Sequence, residues 1–488
     1  MINCRIRSIQ RRLSLVLLAA SLVVRIASQG VQAGDSTNRP PAPRRPSILL
    51  IVADDLGYGD LGCYGQKQIK TPNIDQLAAQ GMRFTSFYAG SATGLPSRAV
   101  LLTGLHTGHA RIRGNSSVCL QAEDLTAAQL LKSANYATGA IGVWGLGNEG
   151  SPGMPRRQGF DEWFGYLDEN EADNYYPKFL NRSEGEKVKE QPIDENRGGG
   201  QGRYADDYFT FAGTNFLRIS RPAFFNHYRP FFLYLPYTIA RANHKLGAET
   251  GNGMEVPEDA PYSAEQWPQV EKNKAAMITR LDRYVGMLQD RLKELKCLDN
   301  TIIIITSANG PHNEGGVNPK FFHSAGPLRG IKRDLYEGGI RVPLIVSWPA
   351  RIRPGSVSDL PCASWDFLAT AVEIAGQPAP TKTDGVSLFP TLTGQTQTNR
   401  HEFLYWESHE DGFKQAARMG DWKALRFGVD GPLELYNLKT DLGETANLAD
   451  KNPEVIARIS EYLKTARTED ANWPVKTAAE SPRKEYGK

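Results

Sequence analysis

The strongest constraint on how this chain can fold is a set of short, unbroken apolar runs. Ser47 to Ala53 reads S-I-L-L-I-V-A, Pro230 to Pro236 reads P-F-F-L-Y-L-P, and Thr301 to Thr306 reads T-I-I-I-I-T. None alternates polar with apolar residues, so each is expected to be a strand covered on both faces. A chain of 488 residues is long enough for one large domain with a smaller companion. The first run ends in Asp54-Asp55-Leu56-Gly57, and the third ends in Ser307-Ala308-Asn309-Gly310. Open α/β sheets place ligands at the carboxyl ends of such strands. Adjacent carboxylates repel, so a cation between Asp54 and Asp55 is one reading, and a solvated turn is the other.

Tyr88 to Gly104 reads as a small-residue loop followed by a helix. Pro96 suits a first helical turn, where its missing N–H costs nothing. Helix starts favour anions, and Arg98 adds a fixed cationic fork suited to phosphate or sulfate. Further helices are expected from Pro72 to Gly81, Leu125 to Ser133, Lys274 to Lys296 and Pro453 to Arg467. Strands are expected at Phe84–Phe87, Tyr136–Gly142, Phe403–Trp406, Ala416–Met419 and Trp422–Arg426. Gly185 to Gly202 is polar and glycine-rich and reads as an exposed insertion. His244 reads as an exposed loop histidine, with a role in the site, three residues after Arg241, as the alternative.

The N-terminus carries most of the basic excess. The formal net charge is +3, and residues 1–33 hold five arginines and no acid, so their removal leaves −2. That balance gives no support for nucleic-acid binding. Arg5, Arg7, Arg11 and Arg12 precede an apolar run from Leu13 to Val24, and Val31-Gln32-Ala33 has the form of a cleavage site. A secretory signal peptide over 1–33 is expected, with a secreted or periplasmic product. Arg25 directly after the run leaves a retained anchor as the alternative. Beyond it no segment could span a membrane. Cys63, Cys119, Cys297 and Cys362 allow three disulfide pairings or four free thiols.

Pro96-Ser97-Arg98 followed by Leu102-Thr103-Gly104 resembles the sulfatase signature C-x-P-S-R…L-T-G. Asp54-Asp55-Leu56-Gly57 is similar to that family's first calcium motif. Gly142-Val143-Trp144-Gly145-Leu146-Gly147 resembles its G-K-W-H-L-G, and Gly326 to Lys332 and Leu335 to Pro343 also match. The resemblance implies a calcium site at Asp54, Asp55 and Asn309, an arginine at Arg98 and a sulfate-binding lysine at Lys332. The first position of the signature is Gly94, where the family has the cysteine that becomes its formylglycine nucleophile. Val143 and Gly145 stand for a lysine and a histidine, Arg241 for a histidine, and Ala308 for a calcium-binding aspartate. Glu171 and Asp173 stand where similar members often carry histidines.

The implied fold is α/β: an alkaline-phosphatase-like mixed sheet between helices, with a small C-terminal antiparallel sheet. The expected organisation is a signal peptide at 1–33, a flexible lead-in at 34–46, a main domain at 47–376 and a smaller part at 377–488. Five departures inside well-matched motifs point to a pseudo-sulfatase whose expected partner is a sulfated or acidic glycan or a small sulfate ester, with calcium weak or absent. The alternative is an active sulfuric or phosphoric ester hydrolase using Thr93 or Ser91 as nucleophile.

Overall fold

The three apolar runs form the middle of a ten-stranded sheet in the computed structural model, which describes residues 44–487. The expected signal peptide and most of the lead-in lie outside the described residues. From one edge the strands run Ser356–Ser358, Met82–Phe84, Leu344–Ser347, Thr301–Ser307, Ser47–Ala53, Phe231–Pro236, Ala137–Val143, Glu162–Tyr166, Phe179–Glu184 and Lys187–Pro192. The five from Thr301–Ser307 to Glu162–Tyr166 are parallel. Leu344–Ser347 and the hairpin at the far edge are antiparallel to their neighbours, so the sheet is mixed.

Alternation along one strand explains why both faces are apolar. Leu49, Ile51 and Ala53 enter one core with Leu77, Phe209, Ile278 and Leu281. Those partners lie on helices Pro72–Gln80, Ala205–Ser220 and Gln269–Glu294. Ile48, Leu50 and Val52 enter the opposite core with Leu101, Leu131 and Leu368. These come from helices Gly94–Thr103, Ala127–Ser133 and Asp366–Ile374. Each fully buried aliphatic side chain stabilises the sandwich by about 1.5–3 kcal/mol.

Three local expectations change. The expected strand Phe84–Phe87 breaks, because the Thr85 carbonyl accepts from Arg341 Nε at 2.8 Å and Phe87–Tyr88 pairs instead with Cys362–Ala363. The helix around Pro96 starts two residues earlier, at Gly94, and is buried from Leu95 to Thr103. Part of the expected insertion is a strand, Lys187–Pro192, which pairs with the otherwise open edge of Phe179–Glu184. Among the described residues, Cys63, Cys119, Cys297 and Cys362 are free thiols; Cys362 is buried and the other three are half-buried. No described helix is long and apolar enough to cross a membrane.

A separate antiparallel sheet is built from Leu404–Ser408, Lys414–Met419, Trp422–Phe427 and Glu434–Asn437. Helix Pro453–Leu463 covers it through Ile459 and Leu463. Lys423 on this sheet is fully buried, with Nζ 3.0 Å from Glu337 and 2.9 Å from Glu444. Removing one partner of a buried ion cluster leaves uncompensated charge. Lys423→Met is therefore expected to lower stability by about 3–5 kcal/mol, read as a drop in the urea midpoint at unchanged m-value. A midpoint equal to wild type would show that the cluster carries no such weight.

Candidate functional site

The five parallel strands deliver their carboxyl ends to one edge of the sheet. Backbone bonds fix the loops there: Ala308 N donates to Ala53 O at 2.9 Å and Asp54 N to Ile239 O at 2.8 Å. Asp54, Asp55, Gly145, Glu169, Arg241 and Asn309 emerge from these strand ends, and Gly94 opens the buried helix beside them.

Asp55 is fully buried; its Oδ1 accepts from Asn309 Nδ2 at 2.7 Å and its Oδ2 from Lys332 Nζ at 2.8 Å. Burial works against its charge, but Lys332 and His312 outweigh burial and hold its carboxyl below the usual range. Asp54 Oδ2 lies 3.9 Å from Arg98 and 3.7 Å from Arg241. Its carboxyl is pushed up, by burial first and by Asp55 second.

Glu169 bridges the two arginines. Its Oε1 contacts Arg98 Nη2, and its Oε2 accepts from Arg241 Nη1 at 2.6 Å. Arg241 also reaches Asp173 at 2.9 Å. Lys332 reaches Glu314 at 3.0 Å, and Arg333 reaches the same carboxylate at 2.7 Å. His244 closes the ring, with Nδ1 2.8 Å from Asp173 and Nε2 3.0 Å from Glu314.

Most of the expected residues do converge: Asp54, Asp55, Gly94, Arg98, Gly145, Arg241, Asn309 and Lys332 share this site. Val143 does not join them in chemistry, because its side chain belongs to the apolar core with Ile51 and Tyr166. Ala308 packs into the opposite core. Thr93 Oγ1 donates to Glu410 Oε1 at 3.2 Å, and Ser91 is buried. His244 is not a loop histidine: it is the first residue of helix His244–Thr250 and is pinned by two carboxylates. Glu169, Glu314, His312 and Arg333 were not singled out from sequence. The sequence does carry a neighbouring signal: an arginine at 241 and an acid at 173, both at family histidine positions, are the two halves of the ion pair seen here, whereas Glu171 accepts from Leu167 N and Asn181 Nδ2 instead.

The residues present do not fit a full calcium cage. Calcium takes about six to eight oxygen ligands. Asp54 Oδ1 and Asn309 Oδ1 are buried without hydrogen-bond partners among the described residues, and they are the donors that would face an ion. Against them, Lys332, Arg98 and Arg241 already compensate the two aspartates. A second grouping, Asp55, His312 and Glu314, also has metal-ligand geometry. Its histidine is committed, however: His312 Nε2 donates to Ala240 O at 2.9 Å, and Nδ1 accepts from Glu314 N at 3.0 Å.

The model of the sulfatase family matches residues 46–377, and that of the N-sulphoglucosamine sulphohydrolase C-terminal region matches 331–469. The chain is 30% identical to an N-acetylgalactosamine-6-O-sulfatase of Bacteroides thetaiotaomicron, over 93% of this chain and 98% of that one. It is 32% identical to human arylsulfatase A, over 86% and 87%. Among solved structures it is similar to Ps i-CgsB in complex with a neocarrahexaose, at a TM-score of 0.74 and 28% identity, over 86% and 93% of the two chains.

The ring of charges makes one pH prediction. Hydrogen bonds to Asp173 and then Glu314 raise His244 from 6.5 to about 9, against the effect of burial. A raised histidine contributes stability that is complete below its unfolded value and lost as pH rises through its folded one. The His244 ring is expected to titrate near 9 by NMR. His244→Gln is expected to flatten the fall in thermal midpoint between about pH 6.5 and 9. A ring titrating at its ordinary value would refute the bridge.

Proposed function

This chain belongs to the sulfatase family, and on that premise we propose that it is a non-catalytic member that holds a saccharide without cleaving a sulfate ester. The observation that carries this reading is the residue at position 94. A Cβ there would stand 2.9 Å from Asp54 Oδ1 and 3.0 Å from Arg98 Nη1, at the focus of the site, and glycine supplies none. Covalent catalysis does not run without its attacking atom. Support also comes from Val143 and Gly145, where the family pattern has cationic or hydrogen-bonding side chains. Stabilisation of developing charge is usually the largest catalytic contribution.

The saccharide part rests on the relatives and on a cleft. One relative is named as an N-acetylgalactosamine-6-O-sulfatase, and one solved neighbour holds a neocarrahexaose. Here a cleft of about 410 Å³ opens beside Gly145, Glu169 and Arg241. Export after cleavage behind Ala33 belongs to the same proposal, and N-terminal sequencing of the mature protein beginning at Gly34 is its check. The second reading keeps Thr93 as a nucleophile, favoured by its hydroxyl's contact with the Glu410 carboxylate.

Purified protein is expected to release nothing above a buffer blank from nitrophenyl sulfate or nitrophenyl phosphate, with calcium, zinc or manganese present. Turnover abolished by Thr93→Ala would establish the second reading instead. Calorimetry is expected to find no calcium binding tighter than about 10⁻⁴ M; micromolar affinity would mean that other ligands complete the cage.

Gly94→Cys, coexpressed with a formylglycine-generating enzyme, is expected to gain the aldehyde by mass spectrometry and remain inactive, because residues acting as a unit are not additive. Restoring the pattern also at Val143, Gly145, Arg241 and Ala308 meets a further obstacle. Gly145 has φ +73°, and a Cβ there would lie 2.7 Å from Glu169 Oε1. The combined reversion is expected to show activity only when Glu169→Ala is added, by at least about 10²-fold over the set that retains Glu169. Full activity of Gly94→Cys alone would show that position 94 was the single lesion.

A further inference from the structure

Resting on the non-catalytic reading above, we propose that the cleft takes a neutral, unsulfated saccharide, because the protein's own Glu169 carboxylate occupies the place of the anion. Two buried or nearly buried guanidinium groups, Arg98 and Arg241, form the anion cradle of the site, and both contact Glu169. Arg241 also reaches Asp173 at 2.9 Å. Lys332 is shared between Asp55 and Glu314, so it offers no free positive charge either. Across the site, the carboxylates of Asp55, Glu169, Asp173 and Glu314 lie against Arg98, Arg241, Lys332, Arg333 and His244. Each of these cations already has an acidic neighbour, and in this cluster Arg98 Nε and Arg241 Nε are buried guanidinium nitrogens left without a hydrogen-bond partner among the described residues.

The cleft walls carry the chemistry of hydroxyl recognition. Asn115, Ser117, Asn148 and Asn170 line it with amides and a hydroxyl. Asp168 and Glu169 line it too, and carboxylates accept well from sugar hydroxyls. Arg241 is the only cationic residue among the described residues that line it. A sulfate entering here would meet two carboxylates and an arginine already paired. Like charges placed together suppress the wrong partner. Glu169 is also tethered to the chain, so it competes with any free anion at a high effective concentration. Gly145 makes this possible, since a side chain there would overlap Glu169 Oε1.

The test uses the mature protein and an array of matched oligosaccharides: galactan fragments, which carry no uronic acid, each in sulfated and chemically desulfated form. Wild type is expected to bind desulfated members at least about tenfold more tightly than their sulfated partners. Glu169→Gln removes the resident charge and is expected to invert that preference. In parallel, inorganic sulfate is expected to leave the thermal midpoint of wild type unchanged and to raise that of Glu169→Gln, which also shows that the variant is folded. Wild-type preference for sulfated members, no binding to either form, or a sulfate response that ignores Glu169 would each overturn the proposal. Sulfate release from a sulfated member is measured separately. Release would defeat the non-catalytic reading, whereas tight sulfated binding without release would defeat only the neutral-ligand inference.

Discussion

The site is organised by the cost of burying Asp54 and Asp55 side by side at the end of the central strand. Both are almost fully removed from water. A buried charge is tolerated only when it is paired and hydrogen-bonded. One solution at such a strand end is a divalent cation. In this chain the compensation is made of side chains: Lys332 on Asp55, and Arg98 and Arg241 near Asp54. Each of those cations then needs its own counter-charge, and Glu169, Glu314 and Asp173 supply it. Buried polar networks of this type are strong when every member is satisfied and weak when one is missing. That explains why the exchanged residues come as a set.

How much of this was legible depends on whether the signal is local. The apolar runs revealed the sheet because full burial on two faces erases the polar alternation, and Ser47–Ala53 reads the same in sequence and structure. Asp54-Asp55 at its end and the missing side chain at Gly94 were visible for the same reason. The break of the strand after Phe84 was not, since it depends on Arg341 reaching the Thr85 carbonyl from a distant segment. Nor was the role of Glu169, which meets Arg241 only because two parallel strands end on the same edge. No spacing or period in the chain encodes that meeting. Val143 falls between these cases: its departure from the family pattern was readable, but its place in the apolar core needed the packing of Ile51 and Tyr166 around it.

The departures are also not independent of one another. Gly145 adopts a left-handed φ of +73°, where a residue without Cβ is at ease. Its missing side chain is the space that Glu169 fills, because a Cβ would come within 2.7 Å of the Oε1 that meets Arg98. A side chain at 145 would therefore require the Glu169 carboxylate to leave the place it takes here, and would have to adopt the left-handed φ of +73°. Once Glu169 is present, Arg241 has a partner that a histidine would hold less firmly, since guanidinium geometry matches a carboxylate and its charge does not titrate. Arg241 in turn gives Asp173 a reason to be acidic, and Asp173 draws His244 into the ring. The glycine at 145 and the acids at 169 and 173 are thus physically coupled, the two acids through Arg241. In the proposed reading the two arginines are the anion cradle, and the Glu169 carboxylate that contacts both takes the position a free ligand would otherwise hold.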